Sequence, residues 1–84
     1  MVPTDISDQL ATAWGQAVRK QREARGLSQS TLAKACDTSQ QAIAKIERGK
    51  LIPRDRLKVI LAARLGLPVE ELFTWPRDLT MGAS

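Results

Sequence analysis

Residues 25–50 read RGLSQSTLAKACDTSQQAIAKIERGK. Two serines in this stretch, Ser28 and Ser39, each stand just before apolar residues at helical spacing, the position of an N-cap. From Ser28 the spacing predicts a short helix that buries Leu32, Ala33 and Cys36. Asp37-Thr38 then predicts a tight turn. From Ser39 a second helix runs through Arg48, with Ile43 and Ile46 inward, and Gly49 ends it. A short helix, a turn of three to four residues and a second helix make the helix-turn-helix plan, here over residues 28–48. Ala33 is small where the two helices must cross closely. The outward face of the second helix is Gln40, Gln41, Ala44, Lys45 and Arg48, polar or small at every position.

The flanks supply the rest of a core. Thr4 is a candidate N-cap for a first helix with Leu10, Trp14, Ala17 and Val18 on one face, and Gly26 stops it just after Arg25. Leu51-Ile52-Pro53 reads as a loop, with Pro53 at the first position of a fourth helix that buries Leu57, Ile60, Leu61 and Leu65 and stops at Gly66. Pro68 opens a last short helix, Val69 to about Thr74, with Leu72 and Phe73 inward. Neither a repeat nor sustained strand-like alternation is present. The expectation is an all-α, compact five-helix domain over residues 1–74 with a C-terminal tail at 75–84.

Composition narrows the function. A chain of 84 residues is one domain. It has no apolar run near the ~20 residues of a membrane span, and no basic segment leading an apolar one as in a signal peptide. One cysteine and no histidine leave zinc almost no ligands. Without histidine or tyrosine the commonest general bases are missing as well. A cytoplasmic protein that is not an enzyme, with no metal and no cofactor, is expected.

The net charge of +4 is unevenly distributed. Residues 1–18 carry −2 and residues 65–84 carry −2, whereas residues 19–64 carry +8. Excess cations interrupted by apolar helical stripes describe a surface that faces a polyanion. On such a surface the adjacent glutamines acquire a reading. A Gln amide bonds bidentately to N6 and N7 of adenine, edges exposed together only in the major groove. The first residues of a recognition helix are those that reach base edges. Lys45, one turn on, can meet guanine O6 or N7, or a phosphate. Glutamine is also a common surface residue; the cap, the turn and the basic segment around it favour base readout.

The same stretch resembles the Cro/repressor (Xre-type) helix-turn-helix family, the lambda-repressor-like DNA-binding domains. The resemblance rests on Arg22, Gly26-Leu27-Ser28-Gln29, Leu32-Ala33, Ile43 and Ile46-Glu47-Arg48-Gly49-Lys50, and LGLPVEELF is similar to the family's fifth helix. Ser39-Gln40-Gln41 resembles the recognition-helix start of lambdoid phage repressors. The resemblance implies a DNA-binding regulator, commonly a homodimer on a near-palindromic operator. It implies base contacts by Ser39, Gln40, Gln41 and Lys45. Backbone contacts would fall to Gln29, Thr38, Lys50 and Arg54, with Gln29 also steadying Gln40. Arg22 and Glu47 would form the family's interhelical ion pair. Three features depart from the pattern: Asp37 stands where glycine is common, Gln21 where leucine is common, and Arg54-Asp55-Arg56 charges the start of the fourth helix.

Cys36 reads as a small buried hydrophobe and Trp14 as core. Trp75 is open between packing on the first helix and, beside Leu72, a dimer contact. The functional expectation is a sequence-specific transcriptional regulator acting on double-stranded DNA as a homodimeric repressor. Alternatives are an antitoxin that autoregulates its operon and masks a toxin through Leu72, Trp75 and Leu79, and a protein-interaction adaptor on the same fold. No residue pattern marks a ligand pocket in so small a core. Control by a protein partner, a toxin or an antirepressor, or by protein level is therefore the expected route.

Overall fold

The computed structural model describes residues 6–75 and contains five helices: α1 Ile6–Ala24, α2 Gln29–Ala35, α3 Gln40–Glu47, α4 Asp55–Leu65 and α5 Val69–Leu72. The candidate cap Thr4, the acidic Asp5 and the tail beyond Trp75 lie outside the described residues. In α1 the buried positions Leu10, Ala11, Trp14, Gly15, Val18 and Arg22 recur every three to four residues, which makes one inward stripe. Ser28 accepts a hydrogen bond from the Thr31 amide and Ser39 one from the Ala42 amide, both at 3.0 Å, so both helices of the turn start on side-chain caps.

Between α2 and α3 the chain reverses at Asp37, whose φ of 56° is left-handed. The Thr38 amide returns to the Ala33 carbonyl at 2.9 Å, the closing bond of a helix C-terminus of the Schellman type. Glycine meets that φ without a Cβ penalty; aspartate is tolerated there at some cost. Val18, Leu32, Ile43, Ile46, Leu61 and Leu65 are wholly removed from solvent and form the centre of the core. Leu57 and Ile60, expected inside, are only half-buried and pack against its edge.

Two helix boundaries differ from the sequence expectation. Pro53 is not the first residue of α4: its ring is buried, the chain stays extended through Arg54 (φ −71°, ψ 163°), and the helix begins at Asp55. The last helix stops at Leu72 rather than Thr74. Phe73 leaves helical geometry (φ −111°, ψ 52°), and the Thr74 hydroxyl turns back to the Glu70 and Glu71 carbonyls at 2.9 and 2.8 Å. That hydroxyl satisfies carbonyls the helix end would otherwise leave open.

Trp14 organises the far end of the core. Its ring meets Phe73 edge-on (centroids 5.7 Å apart, planes at 84°), and its Nε1 donates to the Thr74 carbonyl at 2.8 Å. Lys58 Nζ lies 4.3 Å from the centre of the Trp14 ring, a cation–π contact that joins α4 to this corner. Leu72 is 2% exposed within this packing, so it is a core residue and not a surface dimer contact. Trp75, next along, is half-exposed.

Candidate nucleic-acid interface

The element that presents α3 is held from behind at two points. The first is a buried polar junction. Arg22 of α1 donates through Nε to Glu47 Oε2 at 2.6 Å and through Nη2 to Glu47 Oε1 at 2.9 Å, a two-pronged pair between α1 and α3. Its Nη1 donates to the Leu27 carbonyl at 2.7 Å, which fixes the loop before α2. The bonds to Glu47 raise the Arg22 pKa further above its already high value, against the opposing effect of burial, so the guanidinium stays charged. Among the described residues no buried side-chain nitrogen or oxygen lacks a partner.

Gln29 joins the same junction. Its Nε2 donates to Glu47 Oε1 at 3.0 Å, which ties the first residue of α2 to the last of α3. The expectation that Gln29 steadies Gln40 is corrected here: Glu47 is the group it engages. Among the described residues its side chain makes no other hydrogen bond.

The second point of support is close backbone contact. A Cβ built on Gly15 would overlap the Ile46 carbonyl oxygen and lie 3.0 Å from that of Glu47. A Cβ on Gly49, whose φ is +74°, would lie 3.0 Å from Thr12 Oγ1. Thus α1 rests directly on the last turn of α3 at a spacing that only glycine permits. The sequence reading passed over Gly15. A glycine in the middle of an otherwise regular helix, where it costs about 1 kcal/mol relative to alanine, was the available signal.

On the outside, Gln40, Gln41, Lys45 and Arg48 are exposed and Ala44 is half-buried, while Ile43 and Ile46 on the opposite side are fully buried. The Gln40 and Gln41 amides make no side-chain hydrogen bond within the described residues, so their donors and acceptors face solvent. Ser39 is also exposed, and its oxygen is engaged by the cap while its proton remains free to donate. Thr38 is half-buried at the turn; Lys50 and Arg54 are exposed on either side of the α3–α4 loop. Among the described residues, none of Lys45, Arg48, Lys50 and Arg54 takes part in an ion pair. Glu47, the one carboxylate of α3, is turned inward and neutralised by Arg22. The face is therefore cationic, with two unengaged amides at its leading edge.

Arg64 is a further residue the sequence did not single out. Its Nε donates to the Ala35 carbonyl at 2.9 Å, which pins α4 to the end of α2. Among the described residues, no three His, Cys, Asp or Glu side chains gather as metal ligands, and no helix is long and apolar enough to cross a membrane.

A short capped helix, a left-handed turn and a second helix with a polar outer face define a helix-turn-helix domain. The helix-turn-helix family model matches residues 18–72. The chain belongs to the Xre/Cro-type helix-turn-helix family, whose members are DNA-binding transcription regulators. Among solved structures it is similar to the restriction-modification controller protein C.AhdI from Aeromonas hydrophila, at 33% identity and a TM-score of 0.72 over 75% of this chain and 96% of that one. It is similar also to the clp gene regulator ClgR from Corynebacterium glutamicum, at 28% identity and a TM-score of 0.72 over 75% of this chain and 67% of that one. The hypothetical transcription factor NHTF from Neisseria shares the fold at 22% identity, with a TM-score of 0.75 over 93% and 92% of the two chains. No curated protein matches the chain.

Proposed function

We propose that this chain is a transcriptional repressor that binds a near-palindromic operator as a homodimer, with α3 of each copy in the major groove. The observation that carries the reading is the unengaged Gln40–Gln41 pair at the head of a helix whose other side is fully buried. A side chain that reads bases must have its donors and acceptors uncommitted in the free protein, on an element that cannot tilt away. In this reading Ser39, Gln40, Gln41 and Lys45 meet base edges, while Gln29, Thr38, Lys50 and Arg54 hold the sugar–phosphate backbone. In the same reading residues 1–74 are the DNA-binding domain and residues 75–84 a tail.

Repression then needs no chemistry, because an occupied operator that overlaps a promoter excludes polymerase. The phosphate contacts supply salt-sensitive affinity and α3 supplies sequence choice. The antitoxin alternative loses one of the three residues it rested on, since Leu72 is in the core. Selection of random duplex DNA on the purified protein at near-physiological salt tests the proposal. Two inverted half-sites about one helical turn apart are the expected enrichment. Retention that depends on salt but not on sequence would exclude operator binding by the isolated protein.

A further inference from the structure

The sequence offered no sign of a ligand pocket, yet the structure contains a groove of about 410 Å³ between the α2–α3 turn, the side of α3 and the first turns of α4. That volume falls within the range of about 300–1,000 Å³ typical of small-molecule sites. Its apolar lining includes the buried Cys36 and Pro53 and the half-buried Ala42, Ile52, Leu57 and Ile60. Leu51, 39% exposed, adds an apolar edge that a solvated loop has no need of.

The polar groups sit at the rim. Arg54 and Arg56 are both exposed, and among the described residues neither makes an ion pair. Thr38 brings a hydroxyl, and Asp37 is the single carboxylate of the lining. An apolar trough edged by two unpaired guanidinium groups matches a molecule with an apolar body and one anionic end. A cationic molecule would meet like charge at both arginines, and a neutral one would gain nothing from them.

We infer that this groove is a binding site for an amphipathic organic anion, a medium-chain or aryl carboxylate, whose occupancy opposes DNA binding. The carboxylate meets Arg56 and Arg54 while the apolar body lies against Leu57, Ile60 and Ala42. Opposition follows from shared groups: Thr38 and Arg54 line the groove and are also proposed to hold the DNA backbone, a part of the inference that rests on the function proposed above. Ala42 adds a second link, because it belongs to α3 itself, one residue after Gln41.

The test uses the full chain and three probes: sodium decanoate, decylammonium chloride and sodium acetate. Amide spectra are recorded during titration of the DNA-free protein. Decanoate is expected to shift Ala42, Ile52, Leu57 and Ile60 saturably, decylammonium to bind about tenfold more weakly or worse, and acetate to leave these amides unmoved. Arg56→Ala, outside the proposed DNA contacts, should weaken decanoate binding several-fold. No saturable shift at these amides, or equal binding of decanoate and decylammonium, overturns the site. DNA affinity is measured first without ligand, so a failure of the operator reading shows itself there. With decanoate at ten times its own Kd, DNA binding should weaken about tenfold. An unchanged DNA affinity at that occupancy overturns the opposition between the two ligands.

Discussion

Gly15 and Ile46 touch backbone to backbone: the space in which Gly15 would carry a Cβ is filled by the Ile46 carbonyl oxygen. The position of α3 is thereby set by main chain as well as by side chains. Side-chain packing against a helix can adjust by rotamer changes, but a carbonyl in van der Waals contact with another helix cannot. Together with the Arg22–Glu47 junction two turns further along α1, the contact fixes both the depth and the tilt of the face that carries Gln40 and Gln41.

Gly15→Ala should therefore destabilise the fold by about 2 kcal/mol or more, despite alanine's higher helix propensity. Urea denaturation checks this, with Gly26→Ala in parallel. A Cβ at Gly26 meets nothing within 4 Å, so that variant carries only the cost of its positive φ. Equal, small losses for both variants would contradict the close contact.

Glu47→Ala leaves Arg22 charged and largely buried without its carboxylate, a change that typically costs about 3–5 kcal/mol. Gln29 loses its partner in the same variant. The double variant Arg22→Met with Glu47→Leu should recover most of that loss, because it removes both charges together. A thermodynamic cycle over Arg22→Met, Glu47→Leu and the double variant measures the coupling. A coupling near zero would mean that the pair stabilises nothing.

Burial raises the pKa of the Cys36 thiol, with nearby Arg64 opposing the shift. The folded chain then keeps this proton to a higher pH than the unfolded chain does. Above the ordinary thiol value of about 8.5 the unfolded state binds fewer protons, so stability falls as pH rises. The slope cannot exceed about 1.4 kcal/mol per pH unit from this one group. Stability measured from pH 7 to pH 10 should decline more steeply for the native chain than for Cys36→Ala, whatever the difference between them at pH 7. Parallel declines would show that the thiol is not desolvated.

Asp37 holds a left-handed φ that costs a non-glycine residue roughly 1–2 kcal/mol. Asp37→Gly should relieve this at the expense of some backbone entropy, for a net change within about 1 kcal/mol in the stabilising direction. Asp37→Val, β-branched at positive φ, should instead destabilise by more than 1 kcal/mol. Thermal unfolding of the three chains orders them, and a valine variant as stable as the native chain would show that the turn can relax.

The helices of this fold were legible because the punctuation is local. Ser28 and Ser39 cap, Gly26 and Gly49 stop, and the apolar spacing between them has one consistent period. The Gln40–Gln41 face was legible for the same reason, since burial of Ile43 and Ile46 leaves only one direction for its neighbours. What could not be read was set by contacts between distant segments. The close backbone contact at Gly15, the Arg64 bond to the Ala35 carbonyl and the Gln29 bond to Glu47 each depend on how elements far apart in sequence come together. Leu72 and Trp75 show the limit within a short span: three residues apart, they divide between core and solvent because the chain leaves helical geometry at Phe73.

The division of labour proposed for this fold, sequence choice by α3 and affinity from its flanks, can be separated by repeating the selection from random duplex DNA with the native chain, Gln40→Ala and Arg54→Ala side by side. Gln40→Ala should lose preference at one position in each half-site, by about 1–3 kcal/mol, and keep the remainder. Arg54→Ala should keep the whole preference, bind all sequences more weakly and show a shallower salt dependence. An unchanged preference for Gln40→Ala, with bound sequences altered by Arg54→Ala instead, would contradict the account.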